Sequence, residues 1–179
     1  DRAGGCFWCL DAWFRMVRGV THVESGYTGG GDAPADYYSV CTGTTGHAEA
    51  VAVTFDPSII SEDVVLDMFF TMHNPTTLNR QGYDVGTQYR SALFTNSPEQ
   101  AEVFESAIER NQANWTDQIV TTIEPLGPWY PAETEHQDYY QRNPQAGYCQ
   151  VIIDPKLNAT RARFVKFLEA DTPTSNSIS

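Results

Sequence analysis

Positive charge is scarce in this chain. Its 179 residues carry 11 Lys and Arg against 23 Asp and Glu, a formal net charge of −12, and only Lys156 and Lys166 are lysines. Nucleic acids and anionic membrane surfaces are bound through clustered cations, so such a balance argues against both as partners. Long apolar runs are missing as well. None approaches the ~20 residues of a membrane-spanning helix, and no stretch reads as a secretory leader, so the expected location is cytoplasmic. Without such a leader, the acceptor patterns Asn114-Trp115-Thr116 and Asn158-Ala159-Thr160 read as chance matches. Cysteine is sparse: Cys6, Cys9, Cys41 and Cys149. Four in a chain of this length do not make a disulfide scaffold. They suit a reducing compartment, where a Cys-x-x-Cys pair is redox-active or metal-binding. Repeats and linkers are absent too. The length suits one catalytic domain over residues 1–171, with a disordered Ser/Thr-rich tail at 172–179 and a monomer as the default state.

What the chain does have is concentrated at its start. Gly4-Gly5-Cys6-Phe7-Trp8-Cys9 places two cysteines three apart, with two aromatics between them and paired glycines before them. Glycine lets a backbone turn tightly and approach a neighbour. From Leu10 to Val17 the apolar residues follow a helical period, so a helix over 6–17 is expected with Cys6 at its N-terminus. Unpaired amides and the helix dipole there favour an anion, which predicts a thiol of lowered pKa at Cys6.

Further along, Val20–Tyr27 and Ala48–Phe55 alternate as strands. Residues 28–36 and 73–88 read as loops, and 88–95 and 119–123 as strands. Ser61 caps an apolar helix that stops before Pro75. Ser97-Pro98-Glu99-Gln100 opens another, running towards Trp115, with proline at its first position and a capping-box glutamine. An aromatic loop over 125–131 precedes a helix over 133–142, a strand over 148–153 and a closing helix over 159–168. Strands and helices interleave irregularly, so the expected fold is α+β with a mixed sheet.

Three more stretches crowd polar and aromatic groups without regular periodicity. They are Tyr37 to Glu49, Asn79 to Ser91, and His136 to Pro144 followed by Gly147-Tyr148-Cys149. Gly-Cys-Phe-Trp, Gly-His-Ala-Glu, Asp-x-Gly-x-Gln-Tyr-Arg-Ser and His-Gln-Asp-Tyr occur in one order across residues 4–168. In these words the chain resembles the A-type peptide methionine sulfoxide reductases, which reduce the S epimer of methionine sulfoxide. The resemblance implies a two-layer sandwich with a ferredoxin-like core and an irregular C-terminal segment. It also implies protein repair with oxidised proteins or peptides as substrates, no bound cofactor or metal, and an external thioredoxin or dithiol as reductant.

The chemistry asks for matching groups. Reducing a sulfoxide takes a sulfur nucleophile, a proton for the departing oxygen and a dry slot for the methyl group. The resemblance assigns the nucleophile to Cys6 and the methyl slot to Phe7 and Trp8. It assigns the acid to Glu49, whose pKa must be raised by burial if it is to donate at neutral pH. Tyr37 and Tyr89 match hydroxyl donors to the sulfoxide oxygen, Tyr38 reads as packing, and Asp84 lines the substrate site. Cys6 is left as a sulfenic acid that a second thiol must condense with. The resemblance gives that role to Cys149, and Cys9 is the alternative. On an intact helical turn the i and i+3 β-carbons lie ~5–6 Å apart, where a disulfide wants ~3.8 Å, so pairing through Cys9 needs local fraying. Cys41 reads as a small buried hydrophobe, and His47 and His136 as hydrogen-bonding groups rather than metal ligands. Two departures from the family pattern stand out. Asp11 replaces a usual Glu, leaving its hydrogen bond open, and Pro34-Ala35-Asp36 reshapes the loop before Tyr37.

Two rivals explain less. A thiol-disulfide oxidoreductase built on Cys6 and Cys9 leaves Glu49, Tyr37, Asp84 and Tyr89 without a purpose. A structural zinc module needs two close cysteine pairs, whereas Cys41 and Cys149 are single and distant in sequence.

Overall fold

Side-chain alternation along the strands decides which face of the sheet carries the helices. In the computed structural model, which describes residues 2–168, eight strands form: β1 (Arg2–Gly4), β2 (Val20–Thr28), β3 (Ala48–Phe55), β4 (Arg80–Gln81), β5 (Asp84–Val85), β6 (Ser91–Thr95), β7 (Thr122–Pro125) and β8 (Tyr130–Pro131). Six of them make one mixed sheet in the order β7-β6-β1-β3-β2-β8, and β4 and β5 form a separate hairpin. Only β6 and β7 run parallel. The central order β6-β1-β3-β2 is that of the split βαβ, ferredoxin-like arrangement.

Six helices follow: α1 (Phe7–Phe14), α2 (Tyr37–Cys41), α3 (Glu62–Met72), α4 (Pro98–Gln112), α5 (Tyr139–Arg142) and α6 (Asp154–Phe164). Val23 and Tyr27 on β2, Val51 on β3 and Leu93 on β6 point into the large core that α1, α3, α4 and α6 cover. The alternate positions Ala3, Ala48, Ala50, Ala92 and Phe94 make a thin cluster on the opposite face, closed by Trp129. The Trp129 indole N–H donates to Glu24 Oε1 at 2.7 Å. The result is two layers, with period-2 alternation sorting one residue to each.

Helix starts follow their caps. Ser61 Oγ accepts from the Val64 N–H, and Glu62 and Asp63 occupy the first turn of α3, where the dipole favours them. Ser97 Oγ accepts from Gln100 N–H to start α4. Gln100 Oε1 reaches back to the Asn96 N–H, one residue before the cap rather than the cap itself. Asp36 caps α2 by accepting from Ser39 N–H at 2.9 Å, so the unusual Pro34-Ala35-Asp36 loop still starts the helix that carries Tyr37.

Several expectations are corrected. The strand expected from Gln88 begins at Ser91, because Thr87–Tyr89 form a 3-10 turn. The strand expected over 119–123 is displaced to Thr122–Pro125. The helix expected over 133–142 is broken: Thr134–His136 is a 3-10 turn and Asp138 takes a left-handed conformation (φ 54°) before α5. The Gln137 amide forces this break by mimicking a strand neighbour. It accepts from Ser25 N–H and donates to Ser25 O, both at 2.9 Å. The strand expected over 148–153 is instead a π-helical turn, Cys149–Ile153, that runs straight into α6. Its β-branched residues suggest a strand, yet Cys149 and Ile153, four apart, are buried while Val151 between them is exposed. Helical spacing of burial won over local propensity. The tail expected at 172–179 lies outside the described residues. Among the described residues, no helix is long and apolar enough to cross a membrane.

Asp11 answers the question its shorter side chain raised. Fully buried on α1, it accepts from the Arg15 guanidinium, from Ser25 Oγ–H at 2.8 Å and from Asp138 N–H at 3.3 Å. It therefore ties α1 to β2 and to the break before α5. Asp11→Ala leaves these donors unmatched and is expected to cost about 3 kcal/mol. Denaturant unfolding should show a midpoint shift of that size with an unchanged slope.

Candidate active site

The site begins with two glycines that let the backbone turn where no side chain fits. A Cβ on Gly4 would stand 2.8 Å from the His73 ring, and one on Gly5 (φ +87°) would stand 2.6 Å from Gln81 Cγ. His73 is buried and neutral, its pKa lowered by burial to about 3. Its Nδ1–H donates to Phe69 O and its Nε2 accepts from Ser91 Oγ–H, both at 2.7 Å. The turn thus packs against a ring with no unused nitrogen.

Cys6 follows as the cap residue of α1, in extended conformation and 8 % exposed. It stands just outside the helix rather than inside its first turn, and Cys9 N–H donates back to Cys6 O at 3.2 Å. Glu49 meets it from below. As a helix-facing residue of β3, Glu49 is 1 % exposed, and its Oε1 accepts from Phe7 N–H at 3.1 Å. The register that sets Arg2 opposite Val51 brings the end of β1 and the start of β3 to this level. Burial pushes the Glu49 pKa up to about 8, with the Phe7 N–H and the neighbouring Cys6 thiol holding it back.

The Cys6 thiol departs from expectation. A lowered pKa was expected from the helix N-terminus, but burial, Glu49 and Cys9 push it well above the ordinary thiol value, and the nearby Trp8 N–H offsets this only in part. Helix amides act locally, whereas loss of water acts on the whole charge. The nucleophile candidate is therefore a protonated thiol beside a protonated carboxyl. Cys9 is buried too, its pKa raised by burial to about 11 with Lys156 opposing.

Tyr37 and Tyr89 converge on this centre, where the charges of Glu49, Cys41 and Cys6 bear on both hydroxyls. Burial raises both phenols above their ordinary pKa, so both keep their protons. Cys41 itself is half-buried rather than a core hydrophobe. Tyr38, expected to pack, is 83 % exposed and only edges the Tyr37 ring. Glu133 fixes Tyr37 by accepting from its backbone N–H at 2.9 Å and from the Tyr27 hydroxyl at 2.9 Å.

The aromatic pair splits. Phe7 is fully buried against Tyr27 and His136. Trp8 is half-buried, one face stacked on Tyr139 at 3.8 Å and 7°, and its indole N–H donates to His136 Nδ1 at 3.3 Å. The edge of Tyr148 closes the slot beside Trp8, its ring 5.5 Å away, and its hydroxyl donates to Asp84 Oδ2 at 2.7 Å. His47 accepts from Gly30 N–H at 3.1 Å and donates to Ala33 O at 2.9 Å, pinning the glycine loop.

The structure therefore brings together Cys6, Cys9, Glu49, Tyr37, Tyr89, Trp8 and Asp84. All four thiols are unpaired, and Cys149 is buried on the π-helical turn, where burial and Asp154 raise its pKa. Tyr148 and Glu133 carry no motif signal strong enough to mark them in the sequence, although Tyr148 adjoins a cysteine. Among the described residues, no group of three or more His, Cys, Asp or Glu gathers to hold a metal ion.

Known proteins share this arrangement. A family model described as peptide methionine sulfoxide reductase matches residues 2–167. The peptide methionine sulfoxide reductase MsrA of Pseudarthrobacter chlorophenolicus is 60 % identical over 167 residues, covering 93 % of this chain and 96 % of its own. Mxr1 of Saccharomyces cerevisiae in its reduced form superimposes with a TM-score of 0.77 at 36 % identity, over 83 % of this chain and 86 % of its own. The same yeast protein in complex with Trx2 superimposes with a TM-score of 0.53 at 26 % identity, over 77 % and 81 %. With matches of this extent on top of the site just described, the chain belongs to the peptide methionine sulfoxide reductase family.

Proposed function

We propose that this reductase acts on the S epimer of methionine sulfoxide, free or within polypeptides, through a sulfenic acid on Cys6 and a disulfide with a second thiol. The observation that carries the reading is the Cys6 thiol set against a carboxyl that burial keeps neutral near pH 7. A sulfoxide oxygen departs only with a proton, and Glu49 has one to give.

In the first step the Cys6 sulfur attacks the sulfoxide sulfur. Glu49 protonates the oxygen, and the Cys6 proton passes to the Glu49 carboxylate. The oxygen ends on Cys6 as S–OH and the thioether leaves, so two electrons move from Cys6 to the substrate sulfur with no net change in protons. Tyr37 and Tyr89 donate to the oxygen while charge develops on it. Trp8 walls the methyl group with Phe7 packed behind it, and Asp84 helps position the substrate through the Tyr148 side of the slot. A second thiol then condenses with the sulfenic acid, forming a disulfide and releasing water. We assign this role first to Cys149 and secondarily to Cys9. An external dithiol of the thioredoxin type completes the cycle by exchange. The likeness to a yeast protein solved in complex with Trx2 supports that donor. We read residues 1–171 as one catalytic domain, a monomer working in the cytoplasm on oxidised proteins without a bound cofactor.

Three outcomes are expected. With a dithiol present, wild type should consume the S epimer of a peptide methionine sulfoxide and Cys6→Ser should consume neither epimer. Turnover of the R epimer alone, or an active Cys6→Ser, overturns the reading.

The rate of methionine release in a single turnover should be level below about pH 7 and fall above about pH 8, as Glu49 loses its proton. Glu49→Gln should be slower by roughly 10²–10⁴-fold and lose this fall; a rate that climbs with pH contradicts the assignment. The same shift has a stability counterpart. Between the ordinary carboxyl value of 4.5 and about 8 the folded chain holds a proton that the unfolded chain has lost. Wild type should therefore lose stability across that window relative to Glu49→Gln.

Counting free thiols after one turnover without reductant separates the second thiols. Two should vanish in wild type and in Cys9→Ser. In Cys149→Ser, persistence of the sulfenic acid supports Cys149 as the resolving thiol, whereas continued loss of two gives the role to Cys9.

A further inference from the structure

Lined in part by Tyr148 and Asp84 but not by Trp8, a cavity of about 640 Å³ adjoins the site. It shares Asp84 and Tyr148 with the site, and the Tyr148 ring that lines it stands 5.5 Å from the Trp8 ring. Trp115, Val151, Ile152 and Met72 supply apolar wall, and the rim holds Tyr83, 95 % exposed, and Val151, 70 % exposed. Its volume falls within the ~300–1,000 Å³ of cavities that bury small ligands.

Most polar groups at its floor are already engaged, and Lys156, which also lines it, is the exception. Both His73 nitrogens are matched within the protein. The Gln81 amide is spent on the Asn74 backbone, accepting from its N–H at 2.9 Å and donating to its carbonyl. The Tyr148 hydroxyl is given to Asp84. Apart from Lys156, a polar occupant would find few partners there, whereas an apolar one would bury surface against Trp115 and the exposed rim. Exposed aromatic side chains around an apolar hollow are what an interface presents before its partner arrives.

From this continuity and lining we infer that the cavity is a subsite for a large apolar or aromatic side chain neighbouring the methionine sulfoxide in a polypeptide substrate. Seated there, the flanking residue lies across Tyr148 from the sulfoxide, and the two hollows together read a short stretch of chain rather than a single residue. Val151 and Ile152 belong to the same π-helical turn as Cys149, so the segment that carries the second thiol also forms a wall of the subsite. The inference rests on the reductase reading above and gives it a sequence preference.

The test compares blocked tripeptides in which the S sulfoxide is flanked by alanines with versions carrying Phe before or after it. Dithiothreitol serves as reductant, and blocked methionine sulfoxide alone is the reference. For wild type, one of the two Phe positions should raise kcat/KM about tenfold over alanine, as expected for partial burial of an aromatic ring. In Val151→Glu and in Trp115→Ala that ratio should fall to near one, and Val151→Ile should keep it. Val151 is a surface position, so its variants keep the test open if Trp115→Ala fails to fold. Equal kcat/KM for the alanine and Phe peptides in wild type, or a ratio that survives Val151→Glu, overturns the subsite. If Val151→Glu slows only turnover driven by a protein dithiol and leaves the peptide ratios alone, the cavity faces the donor and the proposal is likewise overturned. Failure of wild type on the blocked single residue would instead overturn the reductase reading itself.

Discussion

A carboxyl group removed from water stands against the first peptide group of a helix, and the rest of the site is arranged around that contact. Glu49 accepts from Phe7 N–H with its whole side chain buried. An isolated buried carboxylate would be expensive; here the group stays largely neutral and keeps one backbone donor. To place it there the chain needs β3 at the centre of the sheet, β1 antiparallel beside it, and a turn of two glycines tight enough to start α1 at once. The ferredoxin-like order supplies the first two conditions and the closeness of His73 and Gln81 explains the third.

The surrounding elements act mainly by fixing positions. Asp36 caps α2, and Glu133 clamps the Tyr37 backbone and the Tyr27 hydroxyl together. His47 fastens the glycine loop, and Gln137 runs along β2 as if it were another strand. Most of these contacts bridge residues about a hundred positions apart. The C-terminal third is therefore a brace for the N-terminal half rather than a separate unit. Asp11 reports the same design at one residue, since its carboxylate serves α1, β2 and the approach to α5 together.

Local patterns made much of this legible. The need for an acid that stays neutral predicted a buried Glu49, and the caps at Ser61 and Ser97 marked two helix starts within a residue. The four motif words named the residues that converge at the site. What local pattern could not convey depended on distant contacts. Cys6 was expected to ionise easily because the helix terminus is visible in sequence, whereas its burial beside Glu49 is not. The family pattern singles out Tyr37 over Tyr38, but that Asp36 starts the helix and leaves Tyr38 exposed is visible only in the fold. The run Tyr148–Ile153 has the composition of a strand, and only packing of Cys149 and Ile153 into the core makes it helical. Glu133 sits in unremarkable sequence, and Gln137 lies in a motif word that does not disclose its partner on β2.

The protonated state of Cys6 has a bearing on survival as well as on rate. Hydrogen peroxide and alkylating agents react with thiolates, not with thiols. A cysteine held above its usual pKa and almost closed to solvent offers them little. An enzyme that works where oxidants are abundant would be a ready casualty if its sulfur were permanently ionised. In the proposed cycle the sulfur gives up its proton only to a neighbouring carboxylate that has just surrendered its own to a sulfoxide. The substrate thus unlocks the nucleophile, and reagents that cannot accept a proton in that position meet a chemically quiet surface.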